Sequence, residues 1–253
     1  MKEILGLLKR DVYLLYNIGR KRLIIYFGSI LLLNLTFSVF GGAGALIEIR
    51  GVTVREFMES MKFPYYTVWQ LIGAVIVGMD FVRNDLYEHG SNLIVKLRSK
   101  RNYWISKLLM AFIMCALISI LVMTAEYIVD FKLFGAEIEK WYDFGIKILL
   151  MNTLYSFMGS YVVYCLYALF GIAISEIPSL ILCMVCICLG LPTNNKLFIL
   201  NNYMLSRLKE ISHEGSGTFN FSVIYLIVTV GVVLVAGTII INRVEIYKRS
   251  GDI

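Results

Sequence analysis

Catalytic equipment is what this sequence has least of. Histidine occurs twice, at His89 and His213. No HExxH pair, no GxSxG nucleophile turn and no paired acidic cluster inside an apolar run is present, so protease chemistry lacks its parts. A GxxxxGK[ST] loop is missing too, which excludes ATP binding of the usual kind by this chain. On these grounds the chain is expected to be no enzyme, with no catalytic, cofactor-binding or metal site of its own.

Charge is also sparse. Asp, Glu, Lys and Arg make up 17% of the 253 residues against 58% apolar, and mean hydropathy is +0.74. A water-soluble core of this size cannot hide that much hydrocarbon. The five cysteines, Cys115, Cys165, Cys183, Cys186 and Cys188, all lie in apolar runs, which argues against disulfide stapling. Cys183, Cys186 and Cys188 sit close together, but no His or acidic residue falls among them, so packing explains them better than a metal does. The first sixteen residues are interrupted by Lys9, Arg10 and Asp11 and have no small-residue cleavage site, so the N-terminal segment is expected to stay in the mature protein.

What the sequence has instead is long apolar stretches. A helix rises about 1.5 Å per residue and the hydrocarbon layer is about 30 Å thick, so a run of roughly 20 apolar residues suffices to span it. Such runs lie near 23–40, 65–82, 108–128, 146–174, 178–191 and 221–241, the fifth being short. The expected fold is therefore all-α: one polytopic membrane domain, 1–253, with six transmembrane helices. Most of the 24 Lys and Arg residues fall before the first run, in 83–107 and after the last. By the positive-inside rule that side is cytoplasmic, which puts both termini inside and the protein in the cell membrane. The +6 formal charge is thus a topology signal, and no nucleic-acid partner is expected.

Residues 1–19 form the first cytoplasmic element. At 100° per residue, Ile4, Leu5, Leu8, Val12 and Leu15 share one arc while Lys2, Lys9, Arg10 and Tyr13 lie opposite, the pattern of an amphipathic helix on the membrane surface. Asn17, Gly19 and the triplet Arg20, Lys21, Arg22 are expected to separate it from the first span. The connection 83–107 can hold a short helix over 85–96, acidic early and basic late as the helix dipole prefers. Arg98, Lys100 and Arg101 then meet anionic headgroups, and Tyr103 and Trp104 are interfacial anchors. The outer connections are more acidic, and 192–220 alternates apolar clusters with asparagines, as short helices dipping into the outer leaflet do. Asp80 and Glu126 lie near span ends. Asn34, Thr67 and Gln70 are polar groups inside spans, where they bridge helices or line a translocation path.

Taken together, these features resemble the permease subunit of the type-2 ABC exporter family, and the likeness extends over the whole chain. Its most specific part is Glu88 and Gly90 followed by Leu97, Arg98, Ser99, Arg101 and Lys107, similar to the family's Glu-x-Gly, basic-and-serine turn and Lys opening the third span. LLKRDVYLL, residues 7 to 15, is similar to its interface helix. Arg98 stands where the family commonly has Pro. The resemblance implies a permease with no motor of its own, paired with a second, identical or homologous permease and two cytoplasmic ATP-binding subunits that hold ATP and magnesium. It makes the helix at 85–96 the coupling helix, with Asp85, Glu88, His89, Gly90 and Leu93 seated against the ATPase. It also makes 192–220 an extracellular gate. An amphipathic cargo such as a peptide, lipid or drug would leave the cell, as in bacterial peptide export or immunity. The alternative is an ATP-independent carrier or channel.

Overall fold

A computed structural model of the chain describes residues 2–41, 52–60, 100–129, 139–170, 189–198 and most of 201–243, with isolated positions at 69–70, 72–73, 181 and 185. It is mostly helical, at 86%, with no strand among the described residues. The helices are α1 (Lys2–Leu14), α2 (Arg20–Gly41), α3 (Val54–Ser60), α4 (Lys100–Tyr127), α5 (Glu139–Phe170) and α6 (Phe219–Arg243).

Two segments, Arg101–Tyr127 in α4 and Phe219–Ile239 in α6, are long and apolar enough to cross a membrane. That is two such helices among the described residues against an expectation of six. Most of 65–82 and 178–191 lies outside the described residues, as does the whole of 85–96.

No break separates α1 from α2. The π-helical turn Leu15–Gly19 joins them, and the residues flanking it, Leu14 and Arg20, both keep right-handed helical dihedrals. Asn17 and Gly19 were expected to interrupt the helix. A π turn instead inserts its surplus residue without leaving helical geometry, so the path continues while the register shifts. The buried face of α1 also differs from the expected arc. Leu7, Asp11 and Leu15 are buried at four-residue intervals, while Leu5 and Val12 are exposed. The apolar arc is therefore split between a protein-facing side and an outward-facing one, and an aspartate occupies the middle of the former.

α4 is the helix on which α1, α2 and α5 gather. Its buried residues Tyr103, Lys107, Met110, Met114, Ile118, Val122 and Ala125 recur at three- and four-residue steps, the repeat that holds one face against neighbours. α1 and α2 both lie on α4, and α5 lies between α4 and α6. Within lipid, association of such helices rests on close packing and interhelical hydrogen bonds, because hydrocarbon tails are as apolar as leucine. α5 buries Asn152, Thr153, Ser156 and Ser160 among large apolar and aromatic side chains such as Met151, Phe157 and Tyr161.

Both α4 and α5 begin earlier than hydropathy indicates, at Lys100 rather than 108 and at Glu139 rather than 146. Hydropathy registers the apolar part of a helix, whereas hydrogen bonding carries the helix on through charged residues at its end. At 1.5 Å per residue the 32 residues of α5 extend about 48 Å, well past a hydrocarbon layer of about 30 Å.

The exposed surface of α6 is a row of Ile224, Ile227, Val228, Val232, Val235 and Ile239. A continuous aliphatic face of this kind suits hydrocarbon, not water. The short helix α3 starts with a reciprocal capping box. The Glu56 carboxylate accepts from the Thr53 amide at 2.9 Å and the Thr53 hydroxyl accepts from the Glu56 amide at 3.1 Å, so two otherwise orphaned donors are satisfied.

Candidate functional site

Three buried polar assemblies stand out, one at the start of α4, one inside the bundle and one around Arg207. The first joins α1 to the foot of α4. Asp11 is 0% exposed, and its Oδ1 accepts from Arg10 Nη2 at 2.7 Å and lies 3.0 Å from Lys107 Nζ, itself on a side chain 5% exposed. Ser106 donates to Oδ2 at 3.3 Å. Lys107 also sits 5.3 Å from the centre of the Tyr103 ring, one helical turn back, so its stem is covered and its cation is held between a carboxylate and a π face. At the start of α1, Asn102 Nδ2 donates to Glu3 Oε2 at 2.9 Å. Breaking a buried ion pair by removing one partner costs about 3–5 kcal/mol, so this junction is stiff.

The second assembly is a polar chain inside the bundle. Gln70 Nε2 donates to Ser119 Oγ at 2.6 Å, Ser119 Oγ donates to the Cys115 carbonyl at 2.9 Å, and Cys115 Sγ lies 3.3 Å from Ser160 Oγ. Ser160 Oγ also donates to the Ser156 carbonyl, at 2.7 Å. Each hydroxyl thus reaches an i−4 carbonyl of its own helix, the usual recourse of serine in an apolar setting. Gln70 Oε1 and Ser156 Oγ are buried with no hydrogen-bond partner among the described residues. The same 69–73 segment packs on α2. The Tyr26 hydroxyl donates to the Trp69 carbonyl at 3.2 Å, and a Cβ on Gly73 would lie 2.3 Å from the Tyr26 ring.

The third assembly is a cap centred on Arg207, which is 2% exposed. Its Nε donates to the Val52 carbonyl at 2.9 Å, its Nη2 to the Leu191 carbonyl at 2.8 Å, and its Nη1 to the Thr193 carbonyl at 2.9 Å, the Gly190 carbonyl at 3.3 Å and Asn201 Oδ1. Among the described residues every partner is an uncharged oxygen. Burial pushes the guanidinium pKa down to about 10, so Arg207 is still a cation at neutral pH. Around it, Asn201 donates to the Thr193 and Asn195 carbonyls, and Asn202 donates to those of Lys196 and Phe198 while accepting from Ser222 Oγ at 3.0 Å. Turns, the 3₁₀ turn Leu205–Arg207 and the bridge between Leu208 and Gly217 make up much of the described part of 192–220. Asn201 and Asn202 are helical, and the asparagine side chains take carbonyls of the 193–198 segment.

The chain matches no protein-family model, no curated protein and no solved structure. What it does is therefore argued from its own residues.

Of the residues singled out in the sequence, Asp85, Glu88, His89, Gly90, Leu93, Arg98 and Thr67 lie outside the described residues. Arg20, Lys21 and Arg101 are exposed, with Arg20 stacked 5.8 Å from the Tyr16 ring, and Arg22 is half-buried. Arg10 was expected on the headgroup side of α1 but turns toward Asp11. Trp104, expected as an interfacial anchor, is 8% exposed, its ring 6.0 Å from that of Tyr161 in α5. Asn34 and Gln70 are both buried, Gln70 in a bridge between helices. The sequence reading missed Asp11, Ser106, Ser119, Ser160 and Arg207. The available signals were an acid on the apolar side of an amphipathic helix and a lone arginine in an asparagine-rich connection.

Proposed function

We propose that this chain is the membrane-spanning permease subunit of an ATP-driven exporter, of the type-2 ABC kind, with six spans and both termini in the cytoplasm. The observation that carries the reading is the buried Asp11–Lys107 pair between a helix with an exposed outer face and the foot of a helix long enough to cross a membrane. Such a joint has a mechanical use. The connection that precedes α4 is the basic stretch 83–99, and a motor gripping it would displace α4 and α1 as one body, because packed helices move rigidly and do not deform continuously. A chain with no nucleotide loop of its own needs the motor on a separate subunit, and Glu88, Gly90 and their neighbours are the residues proposed to meet it. A second permease would complete the passage for an amphipathic cargo.

The polar chain from Gln70 to Ser160 favours a second reading, an ATP-independent carrier or channel, since buried polar groups in lipid are costly and mark pathways. Two experiments separate the readings. A single cysteine introduced at Ser99, in a chain whose native cysteines are replaced, should be labelled by an impermeant thiol reagent in inside-out vesicles and not in intact cells. Labelling from outside overturns the proposed topology. Movement of a solute by the purified chain alone in liposomes, without nucleotide, decides for the carrier.

A further inference from the structure

Arg207 brings together parts of the chain that are far apart in sequence. Its Nε holds the carbonyl of Val52, 155 positions away. Val52 directly precedes Thr53, the residue that caps α3. Its Nη1 and Nη2 hold three carbonyls of the 190–193 turn. Its own carbonyl accepts from the Ser216 amide at 3.0 Å, and the Lys209 amide donates to the Gly217 carbonyl at 2.8 Å. Immediately beyond, Glu210 accepts from the Phe219 amide at 3.0 Å, placing a carboxylate at the N-terminus of α6. Gly215 lies so near Leu208 that a Cβ there would meet its carbonyl carbon at 2.3 Å, so the loop is drawn tight beneath the arginine.

Arginine is the side chain suited to this position. It has five N–H donors in a fixed planar fork, so it can hold acceptors on three sides at once, whereas a lysine offers three donors from one point. A cation enclosed by carbonyl dipoles and no carboxylate among the described residues also means that each lost contact leaves the charge less solvated. The contacts therefore support one another.

We propose that Arg207 is the keystone of an interlock that fastens the start of α3, the 190–193 turn and the lead-in to α6 into one unit, which opens or stays shut as a whole. The protein then has no independently moving loop among these three segments. This holds whether or not the chain is a permease, because it rests on these hydrogen bonds alone.

Amide hydrogen exchange on the full chain in lipid nanodiscs tests the interlock. In the wild type, the amides of Phe57, Arg207, Lys209 and Ser222, each hydrogen-bonded within one of the joined parts, should open with a common protection factor and the same denaturant dependence. Arg207→Lys should raise exchange at all four by about tenfold or more and leave the middle of α4 unchanged. Tyr225→Phe, which removes only the bond to the Leu197 carbonyl, should leave Phe57 unaffected. Independent opening of Phe57 in the wild type, or acceleration in Arg207→Lys confined to 190–209, overturns the proposal. If Arg207→Lys does not fold, the wild-type comparison decides alone.

Discussion

Asp11 and Lys107 meet at 3.0 Å across the junction of α1 and α4, 96 positions apart in the numbering, and neither side chain has appreciable access to solvent. Asp11 also takes Arg10 and Ser106, and Lys107 lies over the face of Tyr103.

That Asp11 is shared by two cations sets the order of effects on stability. Asp11→Asn removes the carboxylate that both Arg10 and Lys107 meet and should cost about 3–5 kcal/mol, the range for breaking a buried ion pair. Lys107→Met leaves Asp11 still paired with Arg10 and should cost less. The double variant should recover much of the loss. Thermal unfolding of the three variants in detergent checks this, and equal, additive losses would show that the pair is not coupled.

The sequence made the helical class readable because the apolar runs are long, and the 3.6-residue repeat of α4 is plain from Met110 to Ala125. It did not reveal the joint. Hydropathy treats Asp11 and Lys107 as interruptions, yet each falls where the buried stripe of its helix passes, Asp11 between Leu7 and Leu15 and Lys107 between Tyr103 and Met110. The cap was less legible still. Arg207 is recognisable as a keystone only once Val52 and the 190–193 turn are seen around it, and those contacts are long-range. Composition places Trp104 at a membrane interface, while its contact with Tyr161 of α5 shows only in three dimensions.

Within the bundle, Gln70 and Ser119 should be energetically coupled. A cycle of Gln70→Leu, Ser119→Ala and the double variant should give about 0.6 kcal/mol, the average for hydrogen bonds between membrane helices, and at most about 1.7 kcal/mol. Zero coupling would mean that the 2.6 Å contact contributes nothing beyond what each residue finds elsewhere.

The pH response of the cap follows from Arg207. Its pKa is pushed down to about 10 by burial. A base whose folded pKa lies below its unfolded one lowers stability while protonated in both states, and that cost is relieved as pH rises through the folded value. The stability difference between wild type and Arg207→Gln should therefore be flat from about pH 6 to about pH 9 and should shift in favour of the wild type above about pH 10. Chemical denaturation across this range measures it. A difference that changes near neutrality would contradict the assignment of the charge to Arg207.

The central claim is that a separate ATP-hydrolysing subunit drives this chain through the connection before α4. Purifying the tagged chain from its native membrane, with and without Glu88→Ala, tests it most directly. The account predicts that a nucleotide-binding subunit co-purifies in equal number with the wild-type chain and is lost, together with ATP-dependent export, in the variant. A fully active chain that purifies without any ATPase would contradict it.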